Sequence, residues 1–391
     1  MEGDFIKINK WLRPLSWFYG FVVSLRNTLF EIGVLKSRSF NTPVISVGNI
    51  TVGGTGKTPH VEYLIGLLKD RFRVAVLSRG YKRKTRGFLI ASAESTERDI
   101  GDEPLQMYQK HPDVVVAVDR NRCNGISRLT GEGTDGEGSS NIDVVVLDDA
   151  FQHRYVNPGI NILLVDYHRL IVFDELLPAG RLREPLHGKN RADMVIVTKC
   201  PPTLKPMEYR VITKQMELYP YQQLYFTCLR YGEMTPLFDG EPMCIDSIDD
   251  NLNILVLTGI ASPKQLITDL SPHTSKLHPL TFGDHHRFTR KDAAEINYYY
   301  GRLPLPKIII TTEKDSTRLR PLKGLSDEAR KAMYVLPIKV DFMCDQKERF
   351  DENIIGYVRK NSRNSILAKA EDGHLSQNGH HIGHRSRTTG L

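Results

Sequence analysis

The chain has 391 residues, 40% hydrophobic and 25% charged, with a formal net charge of +7. That length favours two globular domains over one, and the apolar fraction excludes a wholly disordered chain. The positive balance suits an anionic partner (nucleic acid, an acidic membrane or a phosphorylated substrate), and the five scattered cysteines, with no C-x-x-C pair, indicate neither a disulfide framework nor a zinc site.

The first element is expected over residues 7–36, "KINKWLRPLSWFYGFVVSLRNTLFEIGVLK". Its uncharged run, Pro14 to Leu25, falls short of the about 20 apolar residues of a spanning helix. Leu15, Phe18, Val22, Leu25, Leu29 and Ile32 recur at helical spacing, and both tryptophans of the chain, Trp11 and Trp17, lie beside them. Lys7, Lys10, Arg13 and Arg26 supply cations. Such a helix either lies in a membrane interface or packs on its own domain. No secretory signal is expected, since charged start, apolar core and small-residue cleavage site do not follow one another.

Alternating strands and helices come next. Residues 42–49, 73–80, 113–119, 142–150, 160–166 and 192–199 are β-branched apolar runs, and 57–70 has helical periodicity through Val61, Leu64, Ile65 and Leu68. Near-continuous apolar strands separated by helices predict a parallel sheet covered on both faces. The glycine- and serine-rich stretch 130–141 reads as a surface loop. Residues 225–240 read as an extended hairpin or linker. A second α/β run follows: strands near 253–260, 278–286, 307–315 and 332–340, and a helix over 290–300. The expected plan is an N-terminal segment (1–36), a P-loop domain (37–220), a linker (221–247), a smaller α/β domain (248–360) and a disordered tail (361–391).

The stretch "GNITVGGTGKTP", residues 48–59, joins the first strand to the first helix of the sheet. Strand, glycine loop and a helix opening on Lys57-Thr58 form the context of a phosphate-binding loop. Gly53, Gly54 and Gly56 let the backbone curl and present N–H groups to phosphate oxygens, and the helix N-terminus favours negative charge. Lys57 can reach the β- and γ-phosphates, and Thr58 can ligate Mg²⁺. Thr51 stands where the usual template has its first glycine, but Gly48 lies three residues upstream and a longer loop can still close. Asp148 and Asp149 end a strand about 90 residues later and are the candidate metal carboxylates. Thr198-Lys199 is followed by Pro201 where a guanine-reading aspartate would stand, which leaves ATP as the default nucleotide.

Phosphoryl transfer also needs a group to deprotonate or steer the acceptor. "IGDEP" (100–104) places Asp102 and Glu103 before a helix, where Asp102 is either a helix cap or an acid–base group. "FGDHHRF" (282–288) offers Asp284, His285 and His286. Three adjacent residues cannot easily face one ion, so a histidine beside a carboxylate is the more economical reading. His374, His380, His381 and His384 in the tail are assigned no function.

Taken in order, the N-terminal segment, the glycine loop, "SRGY" (78–81), "GDEP" (101–104), "DDAFQH" (148–153), "LPAGRLREP" (177–185), "DHH" (284–286) and "TTEKD" (311–315) resemble the lipid-A 4'-kinase (tetraacyldisaccharide 4'-kinase) family, to about residue 340. One departure is Ala150, where that family usually has glycine. The resemblance implies ATP-dependent, Mg²⁺-assisted phosphorylation of the 4'-hydroxyl of a tetraacylated glucosamine disaccharide 1-phosphate, the lipid A precursor. It implies a phosphate site over Thr51, Val52, Gly53, Gly54, Thr55, Gly56, Lys57 and Thr58, with Arg122 and Arg183 near phosphates or substrate. It puts the base on Asp102 and its partner on His285. It also implies a cytoplasmic protein peripherally attached to the inner membrane, with the cluster Arg79, Lys82, Arg83, Lys84 and Arg86 near anionic head groups, and no nucleic-acid partner. Two rival readings are a P-loop GTPase or ATPase switch of metallochaperone type, and a basic binding protein without catalysis. The first lacks its base-reading and metal-binding residues; the second leaves Lys57, Thr58, Asp148 and Asp149 without a purpose.

Overall fold

A computed structural model describes residues 8–132, 142–260 and 263–377, with backbone alone for 363–377. Much of the insertion at 130–141 and residues 378–391 of the tail, His380, His381 and His384 among them, lie outside the described residues.

The first helix, α1 (Arg13–Glu31), precedes β1 (Val44–Gly48), α2 (Lys57–Leu68), β2 (Val74–Ser78), β3 (Leu89–Ile90), α3 (Glu97–Ile100), α4 (Asp102–Lys110), β4 (Val115–Val118), α5 (Arg122–Thr130), β5 (Val144–Asp148), β6 (Ile160–Asp166), β7 (Met194–Thr198), α6 (Pro206–Met216) and β8 (Gln223–Tyr231). A second series runs β9 (Thr235–Pro236), β10 (Asn253–Thr258), α7 (Pro263–Leu270), β11 (Leu277–Thr281), α8 (Arg290–Arg302), β12 (Lys307–Thr312), α9 (Glu313–Leu319), α10 (Asp327–Lys331) and β13 (Met333–Leu336). The chain ends in β14 (Ile338–Phe342) and α11 (Lys347–Gln377).

Among the described residues the large sheet has nine strands in the order β14-β8-β7-β6-β1-β5-β2-β4-β3, and the small one five in the order β11-β10-β12-β13-β9. In the large sheet only the edge pairs β3–β4 and β14–β8 are antiparallel. Strands β1, β2, β5 and β7 are buried along their whole length, as expected where helices cover both faces. On one face α2 inserts Val61, Leu64, Ile65 and Leu68 against Ile45 and Val47; each such side chain contributes about 2 kcal/mol by burial. On the other, α5 covers Leu77 and Val145 with Ile126 and Leu129, and α6 covers Val195 and Val197 with Ile212 and Met216.

The chain path differs from the expected plan in three places. Residues 225–240 are no simple linker: β8 is a strand of the large sheet, parallel to β7, and only β9 reaches the small one. The run 332–340 is divided at Pro337, so β13 stays in the small sheet while β14 returns to pair with β8. From α11, Phe350, Ile354 and Val358 then pack into the core of the large sheet. The apolar pattern is the same on both sides of Pro337, so composition alone does not reveal the switch. Finally, α11 continues through Gln377, across the first half of the stretch expected to be disordered; "ILAKAED" is rich in helix formers.

Helix α1 packs the wrong way round for a water-soluble surface. Its buried positions are Ser16, Gly20, Asn27 and Phe30. Ser16 Oγ donates to the Leu176 carbonyl at 3.0 Å and accepts from the Ala179 N–H at 2.9 Å. Tyr19 donates to the Arg183 carbonyl at 2.8 Å, and Arg13 pairs with Glu175 at 2.6 Å. A side chain at Gly20 would collide with Leu176. The outward face carries Leu15, Trp17 (73% exposed), Phe18 (69%), Phe21, Val22 and Leu25. No helix among the described residues is long and apolar enough to cross a membrane.

Candidate active site

Ligands in sheets of this kind bind beyond the carboxyl ends of the parallel strands. Here β1 lies between β5 and β6, with Val47 level with Asp148. The glycine loop leaving β1 therefore stands beside the acidic pair leaving β5.

The loop is braced from inside. Asn49 Nδ2 donates to Thr51 Oγ1 at 3.4 Å and Thr55 Oγ1 at 2.9 Å, and both threonines are buried. Thr198 Oγ1 donates to the Thr55 carbonyl at 2.9 Å, and the Lys199 ammonium donates to the Gly54 carbonyl and pairs with Asp166 at 2.8 Å. Val52 N–H donates to the Arg181 carbonyl at 2.8 Å. Gly48 permits a close approach: a Cβ there would lie 2.7 Å from the Phe151 nitrogen. What remains outward is backbone. The N–H groups of Gly53 to Gly56 have no backbone acceptor among the described residues, and space beside Gly53 and Gly54 is open. Gly56, at φ 80°, turns the chain into α2 with no side-chain cap. Unpaired N–H groups at a helix N-terminus fit a phosphate.

Beneath the loop lies His60, fully enclosed. Its Nδ1–H donates to the Gly56 carbonyl at 2.7 Å, and its Nε2 accepts from Thr227 Oγ1 at 3.0 Å. Burial pushes its pKa down to about 4. As pH falls from 6.5, the unfolded chain takes up a proton that the folded His60 refuses, so stability is full above pH 6.5 and is lost toward pH 4. The loss expected is on the order of 3 kcal/mol. His60→Gln should lack this component, so its destabilisation relative to the parent should shrink between pH 7.5 and pH 4.5 in urea melts. An equal gap at both pH values would contradict it.

Lys57 Nζ is 3.6 Å from Asp149 Oδ1, and Arg183 Nη2 is 3.3 Å from the same oxygen. Arg183 also donates to Asn49, through its carbonyl at 3.1 Å and through its side chain. These cations hold the Asp149 carboxyl below its usual range against burial, which acts the other way. Asp148 is different. Burial and then Asp149 push it up to about 6, although Ser78 Oγ donates to it at 2.9 Å. A buried carboxylate crowded by a second one fits a divalent cation. The Thr58 hydroxyl, in the first turn of α2, has no hydrogen bond among the described residues and offers a hard oxygen of the kind such a cation takes. Arg122 does not face this space freely: its Nη1 donates to the Asp119 carbonyl and its Nη2 to the Asp148 carbonyl, each at 3.2 Å. Burial lowers its pKa to about 10. It supports the end of β5.

Asp102 opens α4 directly after Gly101, whose φ is 94°. It does not cap the helix with its side chain. Its Oδ2 instead lies 2.7 Å from His285 Nδ1, 183 residues away in the loop after β11. The neighbouring Glu103 also helps to raise Asp148, after burial and Asp149. His285 sits at φ 62° with its N–H donating to the Gly259 carbonyl at 3.2 Å. His286 turns away, stacks on Phe282 and lies 3.2 Å from Asp292. Of the basic cluster, Arg83 folds inward to the Gly87 carbonyl at 2.6 Å.

Sequence reasoning missed Asn49, Thr198 and Lys199 as supports of the loop. In the sequence Thr198-Lys199 reads only as an incomplete base-reading motif. It also missed Arg318, which pairs with the fully buried Asp315 at 2.7 Å and donates to the His286 carbonyl at 2.9 Å, fixing the loop that carries His285.

The pattern of the tetraacyldisaccharide-1-P 4'-kinase family matches residues 8–359. A tetraacyldisaccharide 4'-kinase of Phocaeicola vulgatus is 58% identical over 367 residues, covering 93% of this chain and 99% of the relative. One from Bacteroides thetaiotaomicron is 52% identical over 385 residues, covering 96% of this chain and 100% of the relative. The crystal structure of LpxK from Aquifex aeolicus in complex with ATP matches with a TM-score of 0.67 and 30% identity, over 89% of this chain and 98% of that one. The chain belongs to the tetraacyldisaccharide-1-P 4'-kinase family.

Proposed function

We propose that this protein transfers the γ-phosphate of ATP to the 4'-hydroxyl of a tetraacylated glucosamine disaccharide 1-phosphate, a step of lipid A biosynthesis. The family supports the reaction, and the ATP complex of LpxK supports the donor. The observation that carries the reading is the 2.7 Å contact between Asp102, at the start of α4, and His285, in the loop after β11 of the small sheet. A switch protein that hydrolyses nucleotide to change shape has no need of a base paired in this way. Thr198 and Lys199 bond the loop backbone, and Pro201 stands where a guanine-reading aspartate would.

In this reading the backbone from Gly53 to Gly56 and the start of α2 hold the β- and γ-phosphates. Lys57 draws negative charge from the γ-phosphoryl oxygens as the transition state forms. Thr58, Asp148 and Asp149 would hold Mg²⁺, which when bound neutralises phosphate charge and aligns the oxygens. Arg183 holds Asp149 in place and offers a further cation at the phosphates. Asp102 accepts the proton of the 4'-hydroxyl through the carboxylate oxygen not engaged by His285. The alkoxide-like oxygen bonds to γ-phosphorus as the bond to the bridging oxygen breaks, and ADP leaves. Purified protein given γ-labelled ATP, Mg²⁺ and the lipid disaccharide 1-phosphate in detergent should label the lipid. No labelling above background would reject the kinase reading.

The outward apolar face of α1 supports attachment to the cytoplasmic surface of the inner membrane, where its aromatic and aliphatic side chains enter the interface. Trp17→Glu with Phe18→Glu should release most of the protein from sedimented anionic vesicles while leaving its thermal unfolding unchanged, because neither side chain contacts the body of the protein closely. Undiminished co-sedimentation would reject this attachment.

A further inference from the structure

Lys314 approaches His285 from the side opposite Asp102. It lies in the first turn of α9, and the reaction just described gives it no part. Its Nζ is 3.3 Å from His285 Nε2, 3.2 Å from Asp284 Oδ1 and 3.8 Å from Glu103 Oε1, with the side chain mostly buried. An ammonium has hydrogens to donate and no lone pair to accept with. Its contact with the ring is therefore Nζ–H donating into the lone pair of Nε2. A neutral imidazole carries one proton, and with Nε2 accepting, that proton sits on Nδ1, the nitrogen 2.7 Å from Asp102 Oδ2.

We propose that Lys314 is a positioning residue of the transfer, fixing the tautomer of His285 so that Nδ1–H donates to Asp102 and leaves the other carboxylate oxygen to take the acceptor's proton. This rests on Asp102 being the base. The surroundings make the lysine necessary. Asp284 Oδ2 is 3.7 Å from the same Nε2. Without Lys314 that carboxylate draws a proton to Nε2, either moved from Nδ1 or added to it. In the first case two lone pairs face each other between His285 and Asp102. In the second an imidazolium stabilises the ionised form of Asp102 and opposes its taking up a proton. The other groups around the pair do not reach Nε2. Arg318 Nε is 3.9 Å from Asp102 Oδ2, and the Tyr81 ring lies 5.8 Å from the imidazole, centre to centre.

The test is nitrogen-15 NMR of full-length protein labelled at histidine, with His285 assigned by the signal lost in His285→Gln. The wild type is expected to show neutral His285 protonated at Nδ1. Lys314→Met is expected to protonate Nε2, and to lower kcat by about 10–100-fold while KM for ATP stays within about two-fold. Lys314→Arg, which still donates, should keep the Nδ1–H form. A wild-type His285 protonated at Nε2 overturns the proposal without any variant, and so does a Lys314→Met protein that keeps Nδ1–H, whatever its activity. An active Asp102→Asn enzyme would instead sink the base assignment while the tautomer result stood.

Discussion

Lys57→Ala is expected to lower kcat by at least about 10³-fold, an effect of the size seen when one preorganised donor to a developing charge is lost. The loop around it should persist. Its shape is held by Asn49, Thr198, Lys199 and His60, and none of these bonds involves Lys57. What the substitution removes in the resting protein is one of two cations on Asp149, a partly exposed pair worth roughly 1 kcal/mol or less. Thermal unfolding should therefore move by only a few degrees, whereas single-turnover transfer should almost vanish. Lys57→Arg should restore little, because a planar fork on a longer stem does not present one compact charge to the γ-phosphoryl group. Transfer within ten-fold of the parent would remove Lys57 from the machinery.

Asp102→Asn is the second large expected effect, a fall in kcat of about 10²–10⁴-fold. The amide keeps the volume of the side chain and its oxygen can still accept from His285, so the contact between the two sheets survives. What disappears is the capacity to take a proton. KM for ATP should change little, since among the described residues Asp102 has no hydrogen bond or ion pair with the glycine loop. His285→Gln should also be slow, and adding it to Asp102→Asn should cost little more, because the pair acts as a unit. Fully multiplicative losses, measured as a double-mutant cycle on kcat, would mean that the two residues serve separate steps.

The parts legible in the sequence are those whose physics is local. The β-branched runs and the spacing of Val61, Leu64, Ile65 and Leu68 reflect side-chain periods that hold wherever an element is buried. Thr51 illustrates the same point in the loop. The missing first glycine is no defect, since Thr51 turns inward to Asn49 and the N–H groups come from Gly53 onward. Asn49 itself was invisible because an asparagine after a strand reads as any turn residue. In α1 the apolar stripe was readable, but not its direction. That depended on the neighbours: Ser16 bonds the Leu176 carbonyl, Gly20 leaves room for a leucine methyl and the Asn27 backbone carbonyl accepts from Arg154, so this face turns to the body of the protein and the aromatic side chains turn outward.

By itself, then, the order of residues determined a glycine loop after the first strand of a parallel sheet, an acidic pair at the end of a later strand and a second α/β run. Each of these follows from short-range geometry. Tertiary structure alone decided that β14 and α11 return to the large sheet, that Arg122 supports β5, and that Lys314 meets His285 opposite Asp102. Those outcomes depend on contacts between segments far apart in the chain, where no period or spacing carries the information. Asp102 and His285, 183 positions apart, show the same limit: their pairing is implied by the family resemblance, and no period or spacing in the chain carries it.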